Sequence, residues 1–205
     1  MHDLIAAARD LAPAIAARAA EIEAARRLPP DIAEAFARAG FYRMAVPEAV
    51  GGVEAPPQII FDTIAAIAEA DASAAWCIMI GATSALNSAY LPIDLAREVF
   101  GDPGGVYAGV FAPMGRAIDD GDAYRVSGRW SWGSGSQNAH WIAGGAMLMD
   151  GAKSRLGEDG APMHRMMIFR REDVEFHDTW RVMGLCGTGS LDFSVSDVRV
   201  PKARS

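Results

Sequence analysis

The stretch SGRWSWGSGSQNAHW, residues 127–141, decides how the chain is read. It holds three of the five tryptophans, with glycines and serines set between them. Two readings are open. One is a tight hairpin that happens to be aromatic. The other is a platform: an indole offered to a planar ligand, with small residues allowing close backbone approach.

Outward from this stretch, short apolar runs alternate with turns. GVYAGVFAP and AYRVSGRWSW lie at or before it; HWIAGGAMLM, HRMMIF and LDFSVSDVRV follow. In the last, Leu191, Phe193 and Val195 alternate with Asp192, Ser194 and Ser196, the period of a half-buried strand. No helical stretch of useful length separates these runs. That argues against a parallel βαβ layout and for an antiparallel sheet or barrel. The segment 151–162 is polar and reads as a mobile hairpin loop, and Gly184–Ser190 reads as a hairpin turn.

The first hundred residues read as helices. Pro13 marks a kink or a helix start. Pro29-Pro30 and Gly40 bracket a helix with Ile32 and Phe36 one turn apart. Val46-Pro47 leads into a glycine turn, and a helix after Pro56-Pro57 aligns Ile60, Ile64 and Ile67. Residues 72–93 carry no charge, the length of a membrane span. Thr83, Ser84, Asn87 and Ser88 interrupt the run, and acids flank it, so a fully buried helix is the better reading. The expected architecture is therefore α+β: a helical N-terminal domain, residues 1–102, then an antiparallel β-barrel domain, residues 103–205.

Composition narrows the function. The chain is 51% hydrophobic with a net charge of −7 and scattered cations, so it builds a core and offers no basic stripe to nucleic acid. Cys77 and Cys186 lack metal spacing, and no metal site is expected among the histidines. A reducing, cytoplasmic setting without a secretion signal is the expectation.

Five segments, in order, carry a resemblance: AGFYRMAVPEAVGG (39–52), EADASAAW (69–76), AGVFAPMGRA (108–117), SGRWSWGSGSQNAHW and MGLCGTGSLDFSVSDVRVP (183–201). The chain resembles the acyl-CoA dehydrogenase superfamily, and more closely its branch of two-component flavin-dependent monooxygenases. The resemblance implies a flavin, FAD or FMN. It places Trp132 against the isoalloxazine ring, Ser134 as the catalytic hydroxyl near N5, Gly133 where backbone approaches a ring carbonyl, and Val110 and Phe111 beside the pyrimidine end. Monooxygenases of this branch take reduced flavin from a separate reductase, form a C4a-hydroperoxide with O2, and hydroxylate an aromatic or related small substrate.

Departures separate the branches. The dehydrogenase pattern Thr-Glu-Pro is replaced by Phe111-Ala112-Pro113, which removes a Glu that helps to hold acyl-CoA. Asn138 and Cys186 stand where monooxygenases of this branch often have His and Arg, and this bears on substrate contacts. The resemblance also implies a C-terminal helical bundle that completes the flavin pocket, supplies the catalytic base and forms the core of a homo-oligomer. No such segment follows Ser205 in this sequence, so a fragment or a partner chain supplying that bundle is the expectation, with weak flavin binding by these residues alone. Three readings follow: the oxygenase component, an acyl-CoA dehydrogenase, or a non-catalytic subunit. Cys186 is expected to be inert and His140 structural. Thr83, Ser84 and Asn87 either line a substrate pocket or bond to helix carbonyls.

Overall fold

A computed structural model describes residues 3–205; Met1 and His2, the start of the segment read for a secretion signal, lie outside it. The helices are α1 (Leu4–Ala17), α2 (Ala19–Ala25), α3 (Pro30–Arg38), α4 (Pro57–Ala68), α5 (Ala72–Ser84) and α6 (Ile93–Phe100). The strands are β1 (Tyr107–Asp120), β2 (Ala123–Gly133), β3 (Trp141–Asp150), β4 (Lys153–Ser154), β5 (His164–Arg170), β6 (Glu175–His177) and β7 (Leu191–Pro201).

Local chemistry sets the helix ends. The Asp3 and Asp71 carboxylates accept from the backbone N–H groups of Ala6 and Ala74 at 3.0 and 2.7 Å, capping α1 and α5. Pro30 and Pro57 occupy first-turn positions, where a missing N–H costs nothing. Gly40, at φ 81°, turns the chain out of α3.

Two helical expectations need correction. Of the two readings of Pro13, the helix start is overturned: α1 runs through it to Ala17. A proline forfeits one hydrogen bond, and burial of Leu4, Ala8 and Ile15 along α1 offsets that loss. The uncharged run 72–93 is not one buried helix. α5 stops at Ser84 and tighter 3-10 turns cover Ala85–Tyr90. The Asn87 side-chain amide donates to the Ser84 carbonyl (2.8 Å) and the Ser88 hydroxyl to the Ala85 carbonyl (2.6 Å), which favours this tighter winding. Trp76 and Tyr90 of the run are exposed. No helix among the described residues is long and apolar enough to cross a membrane.

The strands join in the order β4-β3-β1-β2-β7-β6, with β5 also paired to β3. Helices therefore precede a sheet, as expected, but the sheet is not wholly antiparallel. β1 and β3 pair in parallel, from Tyr107↔Trp141 to Ile118↔Met149, while β1–β2, β2–β7, β3–β5 and β6–β7 are antiparallel. The cause is a skipped position. β2 returns along β1, and the chain then crosses the end of β1 to begin β3 on its far side. Both ends of that crossing lie at one end of the sheet, so residues 134–140 suffice to span two strand spacings, about 10 Å. The loop 151–162 is partly regular, carrying β4 and a bridge between Leu156 and Pro162. Gly184–Ser190 does not make a hairpin; it ends the long connection from β6 to β7 and holds a single 3-10 turn, Cys186–Thr188.

The helical and β halves share one core. Gly81 of α5 sits where a Cβ would stand 2.3 Å from the Tyr42 ring and 3.1 Å from the Tyr107 carbonyl. Only a glycine lets α5 lie this close to the start of β1.

Candidate active site

The end of β2 holds two indoles in opposite surroundings. Trp130 is fully buried, stacked on Phe193 at 5.1 Å and 17°, with Phe169 at 5.6 Å. Its indole N–H donates to the Gly145 carbonyl at 2.8 Å. Gly115, Gly128 and Gly144, from three adjacent strands, make its room: a Cβ on any of them would fall within 3.0 Å of the indole. Trp132 is 72% exposed. In a regular strand residues two apart share a face, so Trp132 should follow Trp130 inward. It does not, because the β2–β7 register slips by one between Trp130↔Phe193 and Gly133↔Leu191, and Trp132 takes φ 65°. A bulky residue in the left-handed region is held there at a cost of about 1–3 kcal/mol, and such positions cluster at functional sites.

Phe111 is 54% exposed, and Val110 is half-buried, both on β1. β1 bulges between Val110 and Gly115, and its pairing with β2 begins only at Arg116↔Ser127, so no ladder ties Phe111 to Trp132. Gly133 serves a packing need: a Cβ there would stand 2.8 Å from the Phe193 ring.

Ser134 is only 5% exposed. Its Oγ accepts from the Trp76 indole N–H at 3.0 Å and lies 2.6 Å from the Ser190 Oγ. Ser190 in turn lies 2.6 Å from the Thr188 hydroxyl, which donates to the Leu185 carbonyl at 2.9 Å. The hydroxyl read from the sequence as facing a ligand is thus the first member of a buried chain. Trp76, Thr188 and Ser190 were not singled out as site residues. Each lay in a quoted segment, EADASAAW or MGLCGTGS, but no spacing rule brings α5 and the β6–β7 connection to the β2–β3 turn.

The helical half clamps the turn. The Arg27 guanidinium donates to the Asn138 side-chain oxygen (2.7 Å), and the Asn138 amide donates to the Leu28 carbonyl (2.8 Å). Asn138 is thereby committed to structure. The Gly135 N–H donates to the Thr188 carbonyl at 2.9 Å. Cys77 packs beside Gly135, and burial pushes its thiol up to about 12, so it stays protonated.

Other candidates resolve into structural parts. His140 Nδ1 accepts from the Val106 N–H at 3.1 Å, fixing the crossing to the start of β1. Thr83 donates to the Met79 carbonyl, and Asn87 to Ser84, which takes the helix-carbonyl alternative for both. The buried Ser84 hydroxyl has no protein partner. Cys186 is half-buried, with its thiol 3.1 Å from the Val182 carbonyl. No group of three His, Cys, Asp or Glu among the described residues is arranged to hold a metal. The turn 132–139 contains no acid or base. What it offers is an uncovered aromatic face, small residues and neutral hydroxyls, a donor set that suits a large planar heterocycle.

Helices followed by this crossed sheet, with the five segments in order, give an acyl-CoA dehydrogenase-like fold. Residues 2–94 match the family described as acyl-CoA dehydrogenase, N-terminal domain. The chain is similar to the flavin-dependent monooxygenase oxygenase subunit HsaA of Rhodococcus jostii, 34% identical over 95% of this chain and 49% of the relative. It is also similar to the indole-3-acetate monooxygenase of Pseudomonas putida, 34% identical over 90% of this chain and 46% of that protein. The structure of XiaF from a Streptomyces species, in complex with FADH2 and glycerol, superposes with a TM-score of 0.85 at 27% identity, covering 98% of this chain and 50% of that one. The chain spans about half the length of the curated relatives it matches.

Proposed function

We propose that this chain forms the helical and β part of the oxygenase component of a two-component flavin-dependent monooxygenase. It takes reduced flavin from a separate reductase and hydroxylates an aromatic or related small substrate, in the cytoplasm and within a homo-oligomer. Residues 1–102 and 103–205 are its first two domains. The observation that carries this reading is Trp132: a large indole held outward by a strained backbone and a register slip, where packing alone would bury it. The similarity of almost the whole chain to oxygenase subunits supports the same reading.

Under this proposal Trp132 covers one face of the isoalloxazine and Phe111 and Val110 border its pyrimidine end. Bound there, the flavin supplies the electrons and activates oxygen. Trp132 shields the ring from water, and Gly133, lacking a side chain, lets the backbone approach a ring carbonyl. Ser134 is the catalytic hydroxyl, hydrogen-bonding at the N5 edge in a site with little water, where such a bond is worth more than in solution.

The test is a coupled assay on the full-length protein. Reductase, NADH, O2 and a phenolic substrate should give hydroxylated product. Dye reduction by an acyl-CoA without a reductase would instead mark a dehydrogenase. Ser134→Ala should divert NADH toward H2O2; unchanged coupling would remove Ser134 from the mechanism.

A further inference from the structure

The hydroxyl chain behind Trp132 has a direction, fixed by counting protons. Three gaps need one proton each: Ser134–Ser190 at 2.6 Å, Ser190–Thr188 at 2.6 Å, and Thr188 to the Leu185 carbonyl at 2.9 Å. Three hydroxyls supply three protons. A carbonyl only accepts, so Thr188 donates to Leu185. Two oxygens 2.6 Å apart repel unless a proton lies between them, so Ser190 donates to Thr188 and Ser134 donates to Ser190. The Trp76 N–H fills one acceptor position of Ser134 from the other side. Ser190 and Thr188 are 2% exposed, so water does not compete for these bonds. Ser134 is left with one lone pair and no free proton.

From this polarity we infer that Ser190 and Thr188 are positioning residues that hold Ser134 as a hydrogen-bond acceptor, so that the site prefers reduced over oxidised flavin. The inference rests on the flavin reading above. A reduced isoalloxazine carries a hydrogen on N5 and can donate to Ser134. An oxidised one has a bare N5 lone pair and meets another lone pair. The same three hydroxyls in the reverse order would leave the Ser134 proton free to point outward and would favour the oxidised form. Choosing the redox state at the binding step suits an enzyme that accepts its flavin already reduced.

The experiment compares affinities of the full-length protein for oxidised flavin, by fluorescence quenching, and for reduced flavin under anaerobic conditions, with the reduction potential of the bound flavin as a second readout. The native protein should bind reduced flavin more tightly. Ser190→Ala releases the Ser134 proton, and Thr188→Val lets Ser190 turn its own proton to Ser134. Each should shift the affinity ratio toward oxidised flavin by about three- to tenfold, one hydrogen bond's worth, and lower the potential. Thr188→Ser keeps the chain intact and should retain the native ratio, which a purely structural role for the Thr188 methyl would not predict. Native preference for oxidised flavin, or an unchanged ratio in folded Ser190→Ala and Thr188→Val proteins, overturns the inference. Absence of binding to either form by the native protein instead overturns the flavin reading itself.

Discussion

Trp130 and Trp132 belong to one strand, two positions apart, yet one is sealed among aromatics and the other is left bare. The buried indole sits where three strands give up their side chains. The exposed one sits where the ladder slips and the backbone is left-handed. The difference teaches that residue type does not assign role here. Geometry does: regular pairing draws an indole into the core, and a single slip of register turns the next one into a surface.

This contrast can be broken at either end. The largest effect is expected at Trp130→Ala, which removes a fully buried indole and its hydrogen bond; about 3–5 kcal/mol should be lost in denaturant unfolding. A loss under 1 kcal/mol would show that the glycine-walled slot is not the keystone of the sheet. Gly144→Ala attacks the same slot from β3, setting a methyl 2.6 Å from the Trp130 ring. It should cost about 1–3 kcal/mol by overpacking, visible as a lowered midpoint with an unchanged slope.

The opposite end should behave oppositely. Trp132→Ala should leave stability within about 1 kcal/mol of native, since little burial is lost and some backbone strain remains in either residue. The same change should weaken flavin binding about tenfold. Equal damage to folding from both tryptophans would collapse the distinction. The smallest effect concerns the thiol beneath the turn. Cys77 stays protonated in the folded chain up to about pH 12, while in the unfolded chain it ionises near 9. Between those values the unfolded state holds fewer protons, so stability should decline as pH rises through this window. At pH 8 Cys77 should not react with a thiol reagent before unfolding; its rapid labelling would show that the floor of the turn opens readily.

The helix-then-sheet order was legible because period and punctuation are local. Ile32 and Phe36 share a face, Pro30 and Pro57 open helices, and Phe193 and Val195 point inward, as their spacing implies. The exposed Trp132 was legible only through its resemblance to a known motif; alternation alone would have buried it beside Trp130. The parallel β1–β3 pairing was hidden because strand order depends on which end of the sheet a connection crosses. The end of α5 at Ser84 was hidden because side chains there compete with the helix for carbonyls. The surroundings of Ser134 depend on contacts 58 and 56 residues away along the chain, with Trp76 and Ser190, which no window of sequence contains.

Those distant contacts carry a practical consequence. The turn from Trp132 to Ala139 is braced by Arg27 and Leu28 through Asn138, by Trp76 through Ser134, and by Thr188 through Gly135. Its shape is borrowed from neighbours rather than encoded in its own letters. Transplanting the motif onto a foreign sheet would carry over the indole and the serine but leave the scaffold that aims them behind. A redesign of this site has to start from the helices.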